Sequence, residues 1–397
     1  MPKVYVTGIG ALSAIGNDIE AQHKSLKIGK TGIGKSQFFN SKYADIFPFG
    51  EIRLSNDDLK TKLGTIDTQD FTRTDLVAFV AFQEAVNDAN ISDLLSDKRT
   101  ALISSSTVGG MCETDMLHSD ANMKTKASPF IESYSGGAHV LKLAEVYKLK
   151  GHTNTINTAC SSSANAIMLG TKMIKAGIID RAIVGGADTL AKFTVNGFNA
   201  LQILSENPCK PFDENRTGLT LGEAGAFLVL EKEEDCKDKK KYAEILGYGN
   251  TNDAFHASSL SEDAIGIVLA MKTALESAKI SSNQINYINT HGTATENNDY
   301  SELLGITKIF NEIPPFNSTK SYTGHTLAAA GALEAIFSIL SINNSELYAS
   351  LNVETPVKTF DAEPINTFKE NVNIDYVLSN SFGFAGNCTS LILKKCI

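Results

Sequence analysis

The chain contains the same order of apolar segments and glycine turns twice, and this repetition limits the folds open to it. The strand-like segments of the first copy lie at 4–10, 100–106, 181–188 and 225–231, with one more ending at Cys160; those of the second lie at 243–249, 286–292, 315–320, 376–380 and 390–394. Strand–helix alternation repeated in this way predicts two α/β halves related by a pseudo-twofold axis, with corresponding turns meeting near the centre. Cys160 and His325 would then occupy equivalent positions.

A charged run separates the two copies. Residues 233–241 read Glu-Glu-Asp-Cys-Lys-Asp-Lys-Lys-Lys and show no apolar periodicity. Such a run is typical of a solvated connector. We therefore predict an N-terminal half at residues 1–241 and a C-terminal half at residues 242–397.

The turn at residues 157–164, Asn-Thr-Ala-Cys-Ser-Ser-Ser-Ala, places Cys160 between an apolar strand and a helical stretch. Unpaired N–H groups and the helix dipole at a helix N-terminus favour a thiolate. We therefore expect the pKa of Cys160 to lie below the free value of about 8.5. A buried structural cysteine is the alternative interpretation of this turn taken alone.

Two histidines lie far downstream in glycine-flanked turns, His291 and His325, and a glycine-rich segment, Phe-Gly-Phe-Ala-Gly-Asn, follows at 382–387. Each feature alone is explained by an ordinary turn. A cysteine with remote histidines is, however, the general arrangement for a thiol nucleophile. Together the features predict acyl transfer to sulfur, with backbone N–H groups stabilising an oxyanion and imidazoles stabilising a second charged intermediate.

The net charge and the cysteine pattern argue against several other classes of protein. The chain has 36 basic and 45 acidic residues, a net charge of −9, which disfavours nucleic acid and anionic membranes as partners. The start lacks the apolar core of a signal peptide, and no apolar run approaches membrane-spanning length. Six cysteines without a C-x-x-C pair argue against a zinc site and a disulfide framework. We expect no metal and a cytoplasmic location.

Four motifs occur together in this chain: Thr-Ala-Cys-Ser-Ser at 158–162, Asn-Thr-His-Gly-Thr-Ala-Thr at 289–295, Ser-Thr-Lys-Ser-Tyr-Thr-Gly-His at 318–325 and Asn-Ser-Phe-Gly-Phe at 380–384. In their identity and order the chain resembles the β-ketoacyl-acyl carrier protein synthases of the thiolase superfamily, over essentially its whole length. The resemblance implies a duplicated five-layer α-β-α-β-α fold and a homodimer, or a heterodimer with a related subunit. It implies no cofactor beyond the phosphopantetheine arm of acyl carrier protein.

The same resemblance implies a reaction. Cys160 would accept an acyl chain from acyl carrier protein, and malonyl carrier protein would then lose CO₂ and attack the acyl-cysteine, lengthening the chain by two carbons. His291 and His325 would stabilise the developing enolate. Backbone N–H groups of Cys160 and Phe384 would form the oxyanion hole.

Further residues match the family's motifs in supporting positions. Lys320 and Glu334 resemble a buried ion pair beside the histidines, the alternative being a surface pair. Phe384 resembles a gate between the acyl pocket and the entering malonyl group. The remaining matches are two threonines that would contact the phosphopantetheine arm and two structural acidic residues: Thr293, Thr295, Asp299 and Glu302.

The chain departs from the family's usual pattern in two places. The common Gly-Phe-Gly-Gly-Thr-Asn is Gly-Phe-Ala-Gly-Asn-Cys at 383–388, and we expect Ala385 to stiffen the loop that carries Phe384. The common Arg-Asp-Gly-Phe is Arg-Thr-Gly-Leu at 216–219. With Thr-Val-Asn-Gly-Phe-Asn-Ala at 194–200, this resembles the synthases of aryl-polyene pigment clusters.

Three alternatives stay open at this stage. A thiolase shares the fold and uses a second cysteine near the C-terminus, where Cys388 lies. A starter-unit synthase would carry asparagine at the position of His325. A chain-length factor, a non-catalytic partner subunit, typically lacks the nucleophile that this chain keeps.

An acidic carrier protein needs a basic docking surface on this acidic chain. The lysine-bearing stretches with Lys60, Lys62 and Arg73, and with Lys124 and Lys126, are the candidate surfaces. Ordinary solvated lysines are the alternative interpretation.

Overall fold

A computed structural model describes residues 2–128 and 130–396. Its ten strands are β1 (Val4–Ser13), β2 (Thr100–Ser105), β3 (Thr153–Ile156), β4 (Arg181–Asp188), β5 (Ala224–Lys232), β6 (Ala243–Asn252), β7 (Tyr287–Asn289), β8 (Phe316–Asn317), β9 (Tyr376–Phe382) and β10 (Asn387–Lys394). Its eleven α-helices are α1 (Ile19–Lys27), α2 (Asn56–Leu63), α3 (Arg73–Asp88), α4 (Thr114–Met123), α5 (Ala138–Val146), α6 (Ser162–Lys175), α7 (Lys192–Ala200), α8 (Ile265–Ala278), α9 (Glu296–Ile309), α10 (Lys320–Thr323) and α11 (Ala330–Asn344).

The two copies of the sequence pattern form two sheets with the same topology. The strand order is β3-β2-β4-β5-β1 in the first half and β8-β7-β9-β10-β6 in the second. In each half the outer two pairings are parallel and the inner two antiparallel. The predicted duplication is therefore confirmed. β1 and β6 pair over only two residues, Tyr5 with Glu244 and Val6 with Ala243, and this joins the halves into one ten-stranded sheet.

Helices fill three layers around the two sheets. α6 and α11 pack against each other and against strands of both halves, and they form the central layer. α3 and α5 cover the outer face of the first half, and α8 and α9 cover that of the second. Each interface is an apolar cluster of buried side chains. This is the five-layer α-β-α-β-α arrangement that the resemblance implied.

The central layer depends on a close approach between α6 and α11. A Cβ atom at Gly331, near the start of α11, would lie 2.7 Å from the backbone nitrogen of Ala164. Only a glycine lets the two helices meet at this distance. Since α6 follows Cys160 and α11 follows His325, the contact brings the two turns together.

α11 also corrects one expectation from the sequence. The stretch Leu327–Asn344 is long and apolar enough to cross a membrane by length and composition. Of that stretch, 89% is buried inside the protein. It is therefore the core helix of the central layer, and its apolar character comes from packing against both sheets.

The charged run between the halves is less exposed than a free connector. It begins as a single turn of 3₁₀ helix at Glu233–Asp235, the side chain of Cys236 is buried, and Lys239 binds the buried carboxylate of Glu231 at 2.8 Å. The division into domains at residues 241 and 242 stays a prediction.

Candidate active site

Cys160 lies on a sharp turn between β3 and α6, which we name the nucleophile turn (residues 157–162). Ala159 has a left-handed φ of +54°, which bends the chain just before the cysteine. Ser161 is the N-cap of α6. The thiol therefore lies at the helix N-terminus as predicted, on the wall of a cavity of about 550 Å³, and the residue is only 5% exposed.

The expected low pKa of Cys160 is wrong. Burial raises the pKa of this thiol to about 11, although the charge of Lys320 and the backbone N–H of Phe384 act in the opposite direction. Desolvation penalises the thiolate more than these groups stabilise it. Burial likewise raises the pKa of Cys112, Cys209 and Cys236 to about 11, so acidity does not distinguish Cys160 from them.

His325 is placed to activate the thiol of Cys160. Its Nε2 lies 2.9 Å from the Sγ of Cys160, and its backbone N–H donates to Thr220 at 2.7 Å. Burial and the charge of Lys320 hold the pKa of His325 well below its usual value. A neutral thiol thus faces a neutral imidazole, and Nε2 is positioned to take the thiol proton as sulfur attacks.

His291 is held by groups on both of its sides. Glu302 accepts the backbone N–H groups of His291 at 2.9 Å and of Gly292 at 2.8 Å, and Gly292 has a positive φ of +39°. The Nζ of Lys320 lies 3.2 Å from Nδ1 of His291. An ammonium group can only donate, so Nδ1 accepts and Nε2 carries the proton. Burial, Lys320 and His325 hold the pKa of His291 well below its usual value.

Lys320 and Glu334 form a buried ion pair behind the histidines. The side chains are 2% and 3% exposed, and the Nζ of Lys320 contacts Oε1 of Glu334. The same ammonium group donates to the carbonyl oxygen of His291 at 2.5 Å. Burial raises the pKa of Glu334 to about 7, against the opposing charge of Lys320. The alternative of a surface pair is therefore wrong.

Asp299 and Glu302 support the loop at 291–295 from the start of α9. Asp299 accepts the backbone N–H of Ala294 at 3.1 Å and of Phe212 at 2.8 Å, and Arg216 lies 3.7 Å away. Burial raises the pKa of Glu302 to about 7, the backbone donors acting against it. These carboxylates are anchors of the loop that carries His291.

The predicted residues divide into two groups by position. Cys160, His291, His325, Thr293, Thr295 and Phe384 line the cavity together. The hydroxyls of Thr293 and Thr295 lie 3.0 Å apart along one wall. The other four predicted residues, Lys320, Glu334, Asp299 and Glu302, lie behind the lining.

Phe384 lies on a turn that we name the gate loop (residues 383–386). Its ring stacks on that of Phe198 with centroids 5.5 Å apart. Ala385 has a φ of +63°, a conformation that glycine adopts more cheaply. Its N–H donates to the carbonyl of Ala257 at 2.8 Å and its carbonyl accepts from Nδ2 of Asn252 at 3.0 Å, so the loop is fixed to the end of β6 and to the segment after it.

Asp188, at the end of β4, is a supporting residue that the sequence did not reveal. Its fully buried carboxylate accepts from Ser106 Oγ at 2.6 Å, from the N–H of Val108 at 2.9 Å and from that of Ala328 at 2.8 Å. It therefore ties the loop after β2 to the segment after His325. Its one sequence signal is an acidic residue ending an apolar strand.

The donor atoms of Cys160, His291 and His325 all lie within 4.8 Å of one another. They are donor types that zinc prefers. Lys320, in contact with His291, opposes a second positive charge at this position. The absence of a metal stays a prediction.

One residue of the predicted docking surfaces, Arg73, is not on the surface. Arg73 is buried and binds Glu223 through two nitrogens at 2.9 and 2.8 Å, so it is not available to a partner. Lys60 and Lys124 are exposed but lie near Asp57 at 3.7 Å and Asp120 at 2.7 Å.

Two family models and a curated protein match this chain over most of its length. A family model for the N-terminal domain of β-ketoacyl synthase matches residues 1–236, and one for its C-terminal domain matches residues 242–354. The 3-oxoacyl-(acyl-carrier-protein) synthase 2 of Staphylococcus aureus strain N315 is 33% identical over 413 residues, covering 99% of this chain and 98% of that protein.

Two solved structures are also similar over the full chain. The first is the ishigamide ketosynthase/chain length factor, with a TM-score of 0.94 and 26% identity, covering all of both chains. The second is the ketosynthase in complex with its chain length factor from Xenorhabdus doucetiae, with a TM-score of 0.85 and 30% identity, covering 100% of this chain and 98% of that one.

Proposed function

This chain belongs to the β-ketoacyl synthase family, and we propose from its site that it joins an acyl group on Cys160 to malonyl-acyl carrier protein with loss of CO₂. It is an acyltransferase that lengthens a fatty-acid or polyketide chain by two carbons. The observation that carries the proposal is the 2.9 Å contact between Cys160 Sγ and His325 Nε2. No cofactor enters the reaction; phosphopantetheine arrives on the carrier as part of the substrate.

The first half-reaction moves the acyl group to sulfur. Sγ of Cys160 attacks the carbonyl carbon of the acyl thioester while His325 Nε2 takes the thiol proton. The N–H groups of Cys160 and Phe384, both beside Sγ, stabilise the tetrahedral oxyanion. When the intermediate collapses, the carrier thiolate leaves and receives the proton from His325. Acyl-carrier and enzyme thiol thus become acyl-enzyme and carrier thiol.

The second half-reaction uses both imidazoles. Malonyl carrier protein loses CO₂, and the electron pair of the broken bond moves into an enolate whose negative oxygen faces the histidines. His291 donates to that oxygen from Nε2, because Lys320 occupies its Nδ1. His325 can donate to the same oxygen when its proton lies on Nε2. Its Nδ1 is then unprotonated, and this atom has no hydrogen-bond partner among the described residues.

The enolate carbon then attacks the acyl-cysteine. A carbon–carbon bond forms, the bond between acyl carbon and sulfur breaks, and the thiolate takes a proton from solvent. The products are β-ketoacyl carrier protein, CO₂ and free enzyme. Hydrogen bonds to the enolate oxygen strengthen only as charge develops, so they lower the barrier rather than tighten substrate binding.

We assign the cavity wall with Thr293 and Thr295 to the phosphopantetheine arm. Two hydroxyls 3.0 Å apart offer donors and acceptors to the amides of that arm. We assign Phe384, which lines the cavity and stacks on Phe198, to the gate between the acyl pocket and the entering malonyl group. Its loop would have to leave the contacts of Ala385 when the gate opens.

We also propose a specialised substrate, an unsaturated or aryl-conjugated primer. The departure from the family's pattern at Arg216–Leu219 lies on the cavity wall beside Phe198. Unsaturated and saturated acyl carriers of equal length, supplied in competition, test this point. Faster elongation of the unsaturated primer supports the pigment-type pathway, and a preference for the saturated primer returns the enzyme to fatty-acid synthesis.

A second subunit is part of the proposal, either another copy of this chain or a related subunit. β3 lies at the outer edge of its sheet and packs against α5, which in turn packs against a 3₁₀ turn at Ile131–Tyr134. Ile131 and Tyr134 of that turn and Leu141 of α5 have exposed apolar side chains. Both similar structures named above carry a chain length factor in their descriptions. In such a pair, a chain that keeps Cys160 and both histidines would be the catalytic member.

The carrier protein would dock on exposed lysines. Lys62 and Lys126 are exposed, beside the salt-bridged Lys60 and Lys124. Charge reversal of Lys124 and Lys126 to Glu should raise KM for carrier-bound substrate and leave KM for small thioesters unchanged. An unchanged KM for carrier-bound substrate removes this surface from the proposal.

The cytoplasm stays the predicted compartment, and six free cysteines fit it.

The activity is tested directly by mass spectrometry of the full chain after incubation with acyl carrier protein, together with CO₂ release from malonyl carrier protein. An acyl adduct confined to Cys160, followed by release of β-ketoacyl carrier protein, supports a condensing enzyme. A chain that neither acquires the adduct nor releases CO₂ is a non-catalytic partner subunit. Condensation of acyl-coenzyme A without decarboxylation would instead indicate a thiolase.

A further inference from the structure

The two oxyanion donors lie on segments that are far apart in the chain. The N–H of Cys160 belongs to the nucleophile turn, whereas the N–H of Phe384 belongs to the gate loop. Donors stabilise an oxyanion only within about 2.7–3.1 Å of its position. The separation of these two segments must therefore be fixed by contacts between them.

Asn387, the residue after the gate loop, makes such contacts with both segments. Its Oδ1 accepts from the hydroxyl of Ser161 at 2.7 Å and from Nδ2 of Asn165 at 2.9 Å. Its carbonyl oxygen accepts the N–H of Gly383 at 2.8 Å and so closes the gate loop. The side chain holds the neighbour of Cys160, and the backbone holds the neighbour of Phe384.

Asn387 is half-buried, and its two partners in the first half of the chain are buried and held by further hydrogen bonds. Ser161 and Asn165 are 0% and 4% exposed. Asn165 also donates to Thr158 Oγ1 at 2.8 Å and accepts from Thr389 Oγ1 at 2.9 Å. Without Oδ1 of Asn387, the Ser161 hydroxyl can turn to the carbonyl oxygen of Thr158 at 2.8 Å, whereas Nδ2 of Asn165 loses one of its two acceptors. An unsatisfied buried donor costs about 1–3 kcal/mol.

We propose that Asn387 is the positioning residue of the oxyanion hole, setting the N–H of Cys160 and the N–H of Phe384 at their working separation. This inference rests on the proposed condensing function. A threonine hydroxyl at this position would lie one atom closer to the backbone than Oδ1 of Asn387, so we expect it not to reach both Ser161 and Asn165.

The proposal separates the two half-reactions. Acyl transfer passes through a tetrahedral oxyanion and needs both N–H groups, whereas decarboxylation relies on the two histidines. Loss of the Asn387 side chain should therefore slow acyl transfer and leave decarboxylation unchanged. A residue needed only for folding would affect both.

The test uses single-turnover acyl transfer to Cys160 in the full chain, with a double-mutant cycle across the Ser161–Asn387 bond. Asn387→Leu should slow acyl transfer by about 10–100-fold at unchanged KM, the order expected for a misplacement near 1 Å. Ser161→Ala should slow it by about tenfold, and the double variant should be no slower than Asn387→Leu, since both changes break the same link. Asn387→Thr is the variant most compatible with folding and should lose about three- to tenfold.

Asn250→Leu is the matched control. Asn250 is exposed and donates to the same Oδ1 at 2.9 Å and to Oδ1 of Asn165 at 3.1 Å, but it bonds neither to the nucleophile turn nor to the gate loop. Its loss should change the rate by less than about threefold. Decarboxylation of malonyl carrier protein, measured for Asn387→Leu in a Cys160→Gln background, should match that of Cys160→Gln alone.

Four outcomes overturn the proposal: multiplicative effects of Ser161→Ala and Asn387→Leu, an equal loss of decarboxylation, an Asn250→Leu chain as slow as Asn387→Leu, or an Asn387→Leu chain as fast as the unchanged chain. Failure of the proposed function gives a different result. If the unchanged chain leaves Cys160 without an acyl group, the condensing function fails and this inference with it. If the unchanged chain and Asn387→Leu acylate at the same rate, only the inference fails.

Discussion

The two histidines of the cavity are alike in type and burial but differ in what surrounds them. Their rings lie 5.4 Å apart between centroids at 85°, and both imidazoles are held neutral by burial. His291 has Lys320 against its Nδ1 and Glu302 against its backbone. His325 has Cys160 at Nε2 and no hydrogen-bond partner at Nδ1 among residues 2–128 and 130–396.

This difference separates two roles that the sequence alone does not distinguish. The neighbours of His291 fix its tautomer, so it serves as a permanent donor from Nε2. Nothing fixes the tautomer of His325, so Nε2 can take a proton in one half-reaction and donate one in the other. Residues of the same type thus differ in chemistry because their neighbours restrict one imidazole and not the other.

The largest expected effect comes from removing the thiol while keeping both histidines. Cys160→Gln should lower condensation by at least about 10⁴-fold, the order seen when a nucleophile is lost. Decarboxylation of malonyl carrier protein should continue or rise, because a neutral polar side chain imitates the acylated state. Radiolabelled CO₂ release measures this, with Cys112→Ala as the control cysteine outside the cavity. A folded Cys160→Gln chain that no longer decarboxylates would give the thiol a direct role in the second step.

The second effect concerns the state of the thiol that His325 faces. With a pKa of about 11 for Cys160, the thiolate fraction grows with pH throughout the neutral range. Alkylation by iodoacetamide should therefore accelerate about tenfold per pH unit from pH 7 to 10. Peptide mass spectrometry measures it, with Cys112 as the internal reference at a similar pKa. A rate at Cys160 that is constant between pH 6 and 8 would instead indicate a thiolate–imidazolium pair.

The third and smallest effect tests what makes His291 different. Lys320→Met removes the donor at Nδ1 and the charge that lowers the pKa of both imidazoles. Decarboxylation should fall by about tenfold, the weight of one charge-assisted hydrogen bond, and acyl transfer should change by less than about threefold. Both rates are measured on the same preparation.

Stability controls accompany this variant, because Lys320→Met leaves Glu334 buried without its partner. Removing one partner of a buried pair costs about 3–5 kcal/mol of the free energy of unfolding. Lys320→Met/Glu334→Gln should recover part of that loss in urea unfolding while decarboxylation stays low. Recovery of decarboxylation in the double variant would show that Lys320 acts through stability and not through His291.

Most of the fold could be predicted from the repeated pattern in the sequence. Strand segments recur with the same glycine turns, so the duplicated topology and the meeting of the Cys160 and His325 turns followed from the sequence. α1 and α2 were missed in a stretch without clear apolar periodicity. The signal for α2 was a capping box, since Ser55 and Asp58 cap each other's backbone N–H at its start.

The site was predicted in its residue types but not in its electrostatics. The motifs located Cys160 and both histidines, whereas the pKa of Cys160 depends on how completely the folded chain excludes water. The position of Cys160 at a helix start could be predicted from the sequence, but its burial could not, and burial is the largest influence on its pKa. The prediction that Arg73 belongs to a docking surface was wrong for the same reason. Its side chain is buried against Glu223, which is distant in the chain, and the sequence does not show that contact.

The division of labour between the histidines is tested most directly by the rate of acyl transfer to Cys160 in His325→Ala and His291→Ala chains. Single-turnover mass spectrometry with acyl carrier protein should show His325→Ala slowed by about 10²–10⁴-fold, the range for a lost general base. His291→Ala should stay within about fivefold of the unchanged chain, although either variant should lose about 10²–10³-fold in decarboxylation. Equal acyl-transfer rates in the two variants, or a slower His291→Ala, would contradict the account.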